Sequence, residues 1–255
     1  MPLRKWTRDE SIVAFNLYCR TPFGRIHNRN PEIIEIANAM GRSPSAVSWK
    51  LANFSRLDPS VTGRNLSGAT HGSALDREIW NEFNQDWERL SFESETVRAQ
   101  LLDRPLPTPE EESFPEGIMR STTVMARVNQ GFFRAAILAT YESSCCITGI
   151  KNPELLRASH IVPWSVDAKN RTNPRNGLCL NALHDQAFDC GLITLDPQFK
   201  VRVSPALRQG VNLALDQMIF KYEGHPIQQP KQFEPDQSFV TYHREHIFRT
   251  TGRAS

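Results

Sequence analysis

The sequence predicts an α+β protein: a helical N-terminal part, then a small strand, loop, strand and helix unit. Three observations carry that prediction. Before residue 60, apolar residues recur at helical spacing in three successive segments, each opened by a capping residue. Between Asp103 and Gly117, four prolines and three consecutive glutamates read as an extended linker. Beyond it, two short apolar runs, Ser159 to Val162 and Leu178 to Leu180, flank a turn signal at Arg175, Asn176 and Gly177. The expected organisation is a three-helix unit over 1–60, an acidic helical spacer and linker over 61–117, and a second domain over 118–255.

Taken in order, Thr7 to Glu10 has the form of a capping box, and Ile12, Val13, Phe15 and Leu17 follow at roughly helical spacing. A loop with Pro22, Gly24, Arg25, His27 and Arg29 leads to Asn30 and Pro31, which open a second helix through Ile33, Ile34, Ile36, Ala37 and Met40. Gly41 ends it. Ser43 caps and Pro44 starts a third helix, with Val47, Leu51 and Phe54 on one face and Ser45, Ser48, Trp49 and Ala52 on the other. Helix, glycine turn, helix is a helix-turn-helix signature. Through Ala37, Gly41, Ser43, Ala46, Val47 and Leu51, the segment resembles the small three-helix DNA-binding domains of bacterial regulators. That resemblance implies a third helix in the major groove, with Ser45, Ser48, Trp49 and Asn53 towards bases and Arg42, Lys50 and Arg56 on phosphates. Three-helix units also serve as packing modules or protein adaptors.

Ser73 with Asp76 opens a longer helical stretch in which Leu75, Ile79, Phe83, Trp87 and Leu90 recur at helical spacing; its other face is acidic and should stay off DNA. Trp80 and Trp87 read as core or as a dimer seam. From Ile118 the second domain is expected to begin, with Val128, Phe132, Phe133, Ile137, Leu138 and Tyr141 on an amphipathic helix. Ile193 to Leu195 and Val201 to Val203 read as a closing hairpin.

Most of the plausible chemistry lies between Cys146 and Gly191. His160 follows a short apolar run, Asn176 stands sixteen residues later and His184 eight after that. Asn181 caps a helix that ends at Gly191. Strand, loop, strand, helix would bring His160 and His184 to one cleft. Such a set suits phosphodiester hydrolysis, in which a neutral imidazole takes a proton from water while one divalent cation holds the phosphate. His160 would be the base and His184 a metal ligand; Asn176, counted with His160 in the catalytic set, would tie the loop across and hold the backbone of the base.

These residues resemble the HNH endonucleases of the ββα-metal superfamily, in the restriction-type subgroup. The resemblance rests on Cys146, Thr148, Gly149, Ala158, His160, Ile161, Pro163, Asn176, Gly177, Leu178, His184, Phe188, Asp189 and Gly191. It extends upstream through Arg127, Gln130, Phe133, Arg134 and Tyr141 and downstream through His243, Arg244, Glu245 and Phe248. It implies a general base at His160, metal ligation by His184, and a role near the site for Arg127 and Arg134. Many relatives carry an Asp, Glu or His immediately before the base as a second ligand; here that position is Ser159, a poor ligand, and Asp189 is the alternative carboxylate. One divalent ion per site is implied, Mg foremost, with Mn, Ni or Zn as alternatives. The implied function is a sequence- or modification-specific restriction or defence enzyme, acting on double-stranded DNA as a homodimer and leaving 5′-phosphate and 3′-hydroxyl ends. The alternative that Ser159 keeps open is a DNA-binding regulator whose HNH domain is structural. A further alternative is an effector nuclease whose N-terminal unit binds a protein or signal.

Composition is compatible with these readings. The 255 residues are 39% hydrophobic, no run of eighteen apolar residues occurs, and residues 1–8 have no apolar signal core, so a cytoplasmic protein without membrane association is expected. The five cysteines include no C-x-x-C pair, which argues against disulfides and a cysteine zinc site. The net charge of +2 conceals a pattern: residues 1–70 hold ten Lys and Arg against five Asp and Glu, residues 71–117 four against twelve, and residues 118–255 sixteen against eleven. Two basic ends about an acidic middle fit a protein that meets DNA at two places.

Overall fold

The computed structural model describes residues 4–62, 73–106, 120–208 and 212–250, so most of the expected linker lies outside the described residues. The chain forms two compact units, Met1–Thr140 and Tyr141–Ser255.

The first unit is helical: α1 (Arg8–Arg20), α2 (Pro31–Ala39), α3 (Pro44–Ser55), the single turn α4 (Pro59–Thr62), α5 (Ala74–Phe83), α6 (Trp87–Leu101) and α7 (Arg120–Thr140). Side-chain caps start five of these helices. Thr7, Asn30, Ser43, Ser73 and Asp86 each accept a backbone N–H of the following turn, and Thr7 with Glu10 and Ser73 with Asp76 form complete capping boxes. Every residue of α1 from Glu10 to Cys19 is buried, because α3, α5, α6 and α7 all pack against it. Phe15 is the centre of that core, with ring centroids 4.8 Å from Phe54, 5.2 Å from Trp80 and 5.9 Å from Trp87.

Two features differ from the sequence-based expectation. The single long helix through Leu75 and Leu90 is broken at Asn84–Asp86, where the Asp86 carboxylate accepts the Arg89 N–H. Trp80 and Trp87, one on either side of the break, both meet Phe15. In addition, α7 packs on α1 and α6, burying Val128, Phe132, Phe133, Ala136 and Ile137 in the first unit rather than opening the second.

The second unit has an antiparallel pair, β1 (Leu156–His160) and β2 (Gly177–Asn181), followed directly by α8 (Ala182–Asp189). Next comes a short hairpin of β3 (Ile193–Leu195) and β4 (Val201–Val203), then α9 (Leu213–Met218), α10 (Gln237–Tyr242) and a wide turn over His243–Ile247. The mixture of helices and small sheets is α+β. α8 packs on both β1 and β2.

Just past the end of α8 stands Gly191, whose φ of +67° favours glycine. A Cβ there would lie 2.8 Å from the Ile247 carbonyl carbon and closer still to its oxygen, and backbone atoms cannot rotate aside as a side chain can. Gly191→Ala is therefore expected to destabilise the second unit by at least roughly 2 kcal/mol, adding the left-handed penalty to the overpacking. Chemical denaturation of the full chain would measure it.

His243 joins the wide turn to α8. Its ring stacks on Phe188 at 3.7 Å, Nε2 donates to the Phe188 carbonyl at 3.1 Å, and Nδ1 accepts the Thr194 hydroxyl at 2.8 Å. The residue is buried, and burial pushes its imidazole from 6.5 down to about 4 despite the Phe188 carbonyl. The unfolded imidazole takes up a proton near 6.5, whereas the folded one resists until about 4. The second unit should keep this contribution above pH 6.5 and lose about 3 kcal/mol progressively down to pH 4. Urea unfolding at stepped pH would show the loss, and His243→Asn should flatten it.

Candidate active site

The loop between β1 and β2 is closed by polar side chains, and Asn176 does most of the closing. Its Oδ1 accepts the Val162 N–H at 2.8 Å, and its Nδ2 donates to the carbonyls of Val162 and Asn170 at 3.2 and 3.1 Å. Its backbone carbonyl accepts the Ile161 N–H at 3.0 Å. Asn176 is fully buried, so each of these bonds is shielded from water. The segment leaving β1 immediately after His160 is thereby fixed to the end of the loop.

His160, the last residue of β1, stands opposite Gly177 of β2. Its Nε2 lies 2.8 Å from the Arg171 carbonyl oxygen, and its ring meets Trp164 edge-on at 5.6 Å. A carbonyl only accepts, so Nε2 carries the proton of the neutral ring and Nδ1 carries the lone pair. Burial holds the imidazole below its ordinary value, opposed by the Arg171 carbonyl and the negative charge of Asp185. The ring is therefore neutral at physiological pH, as a proton acceptor must be. Arg171 continues the arrangement, donating from Nε to the Trp164 carbonyl at 2.8 Å with its guanidinium 5.1 Å from the Trp164 ring centroid.

His184, expected as a metal ligand in the same cleft, has other neighbours. Its Nδ1 accepts from the Asn181 amide at 2.8 Å and its ring packs edge-on against Tyr222 at 5.6 Å. Its Nε2 is buried beside the Met218 carbonyl without reaching hydrogen-bond geometry. Burial lowers its pKa, opposed by that carbonyl and reinforced by Lys221. The α8 side chain that meets the end of β1 is instead Asp185. On β1, Arg157 and Ser159 share one face by the two-residue period of a strand. The Asp185 carboxylate lies near Ser159, whose hydroxyl supports its charged form without ordinary hydrogen-bond geometry, and it feels the charge of Arg157. Burial raises the Asp185 pKa against the opposing effects of Ser159, Arg157 and His160. Asp189, one turn further along α8, is exposed, and partial burial together with the Asp185 charge raises it to about 6.

The sequence does not single out Asp185, the α8 carboxylate beside Ser159. A signal existed: positions 185 and 189 are four apart and share a helical face, whereas 184 and 185 point in different directions.

In the first unit, the residues assigned to DNA have different fates. Ser45 and Trp49 are exposed, Ser48 and Asn53 half-buried. Arg42 and Lys50 are not available to phosphate. Arg42, its side chain 7% exposed, bonds both Glu10 oxygens at 3.0 and 2.7 Å and stacks on Trp6 at 4.0 Å. Lys50, its side chain 2% exposed, is ion-paired with Asp76, which also accepts from Asn53 at 3.1 Å. Arg127 and Arg134 lie on α7. Arg127 is exposed beside a cleft of about 300 Å³ that also has Asn16, Arg20 and Glu95 in its wall; Arg134 is half-buried.

Among the described residues, no three His, Cys, Asp or Glu side chains converge into a closed metal cage. The carboxylate pair Asp185 and Asp189 fits a hard divalent cation that keeps its waters and takes its remaining ligands from a phosphate. Among the described residues, no helix is long and apolar enough to cross a membrane.

No curated protein matches the chain. A family model described as HNH endonuclease does match, over residues 145–196, the segment containing β1, the Asn176 loop, β2, α8 and β3. That match supports an HNH nuclease domain in the second unit.

Proposed function

We propose that the chain is a metal-dependent DNA endonuclease of the restriction-type HNH subgroup, with β1, β2 and α8 as its ββα-metal unit and α3 as its DNA reader. The observation that carries this reading is His160 itself: a half-buried, neutral imidazole with its tautomer set by the Arg171 carbonyl, inside the segment that matches the nuclease family.

In this mechanism His160 takes a proton from water at Nδ1, while Nε2–H stays on the Arg171 carbonyl and steadies the imidazolium that forms. Asn176 keeps the start of the loop, and with it the base, from shifting as charge develops. Asp185 and Asp189 would hold the cation, which when bound supplies charge neutralisation at the scissile phosphate. The products are 5′-phosphate and 3′-hydroxyl ends. One such site cuts one strand, so double-strand cleavage calls for two copies of the chain on a symmetric site.

The test is conversion of supercoiled plasmid, with and without cytosine modification, in Mg, Mn or Ni. Cleavage abolished by a chelator supports the reading, and the preferred plasmid tells whether modification is read. DNA binding without cleavage in any metal would favour the alternative, a regulator with a structural HNH domain.

A further inference from the structure

With Arg42 and Lys50 engaged inside the first unit, two exposed arginines, Arg25 and Arg29, lie in the turn between α1 and α2. That turn is tied to α3, because Asn28 Nδ2 donates to Ser45 Oγ at 3.2 Å. It is also closed on itself. Asn30 donates from Nδ2 to the Arg25 carbonyl at 3.1 Å while its Oδ1 caps α2, and its N–H reaches the His27 carbonyl at 3.1 Å. The two arginines therefore stand at a defined place beside the start of α3. One helical turn beyond Ser45 is Trp49, whose indole is 58% exposed.

The acids nearest in sequence do not neutralise this turn. Glu32 pairs with Arg20 and Arg98, and Glu35 with Arg98 and Arg104. Among the described residues, Arg25 and Arg29 have no acidic partner. Two unneutralised guanidinium groups held beside a large exposed aromatic and a hydroxyl suit a ligand with regularly spaced phosphates and stacked, partly apolar edges.

We infer that the face made by Arg25, Arg29, Ser45 and Trp49 docks duplex DNA, with α3 in the groove and the two arginines on flanking phosphates. This rests on the proposed DNA-reading role of α3 and replaces the cations that the sequence assigns to it.

The test is binding of the full chain to labelled mixed-sequence duplex DNA, in chelator and across a salt series. Arg25→Gln and Arg29→Gln should each flatten the plot of log affinity against log salt by about one. The double variant should bind roughly tenfold more weakly at physiological salt or below. Trp49→Ala should weaken binding with the slope unchanged. Arg89→Gln removes an arginine paired with Glu82 and Glu93 and should bind as wild type. Thermal melting of each variant separates loss of fold from loss of contact. If wild type binds and the double variant is indistinguishable from it, this face is not the contact, while the DNA reading stands. If wild type shows no binding at any salt, the DNA-reading role of α3 fails, and this inference with it.

Discussion

Replacing His160 with alanine is expected to lower DNA cleavage by about 10²–10⁴-fold, the usual contribution of a positioned general base. The variant should fold, because the ring is only half-buried and the loop is held by Asn176 rather than by the imidazole. Duplex binding should be unchanged, placing the loss in the chemical step. Asp185→Asn separates the two roles at the site. It should weaken Mn binding measured by calorimetry without DNA, whereas His160→Ala should leave that binding close to wild type. Wild-type cleavage by His160→Ala would mean that another group takes the proton.

A second large effect is expected far from that chemistry, at Asp76. This carboxylate is buried and accepts from Lys50, from Asn53 and from the Ser73 backbone N–H of its own capping box. Burial lowers the Lys50 pKa, and the Asp76 bond opposes that lowering. Asp76→Ala would leave an ammonium with no counter-charge in the core and should destabilise the first unit by about 3–5 kcal/mol. Lys50→Met with Asp76→Leu removes both charges together and should recover most of that loss. Tryptophan fluorescence during urea unfolding is a suitable readout, because four of the five tryptophans belong to the first unit.

The features legible in the sequence were those fixed by neighbours close along the chain. Thr7 with Glu10 and Ser73 with Asp76 form their capping boxes three residues apart, and the turn signal at Arg175–Gly177 leads into β2. What depended on distant partners was not legible. Nothing near Lys50 announces that Asp76 will meet it, nor near Arg42 that Glu10, thirty-two positions earlier, will take its guanidinium. The break before Trp87 was masked because the apolar spacing runs on unbroken across it. The prolines after Asp103 resemble a domain boundary, yet α7 packs back on α1 and α6. At the site, the offsets already suggest that Asn176 closes the loop that follows His160, whereas which α8 side chain meets β1 depends on how α8 is rotated against it.

The burial of α1 on all sides bears on how this protein could be divided or borrowed. Residues 4–62 contain every element of the proposed reader, but their innermost helix is covered partly by α5, α6 and α7, which lie between residues 74 and 140. Cut after residue 62, the piece would present the Phe15 side of α1 to water in place of Trp80 and Trp87, a large apolar face with nothing to cover it. Sequence length suggests a portable sixty-residue cassette; the packing makes the smallest transferable part the whole first unit. Chimaeras that exchange DNA preference between related chains should therefore be joined after Thr140, where the unit ends, and not in the acidic stretch where the sequence invites the cut.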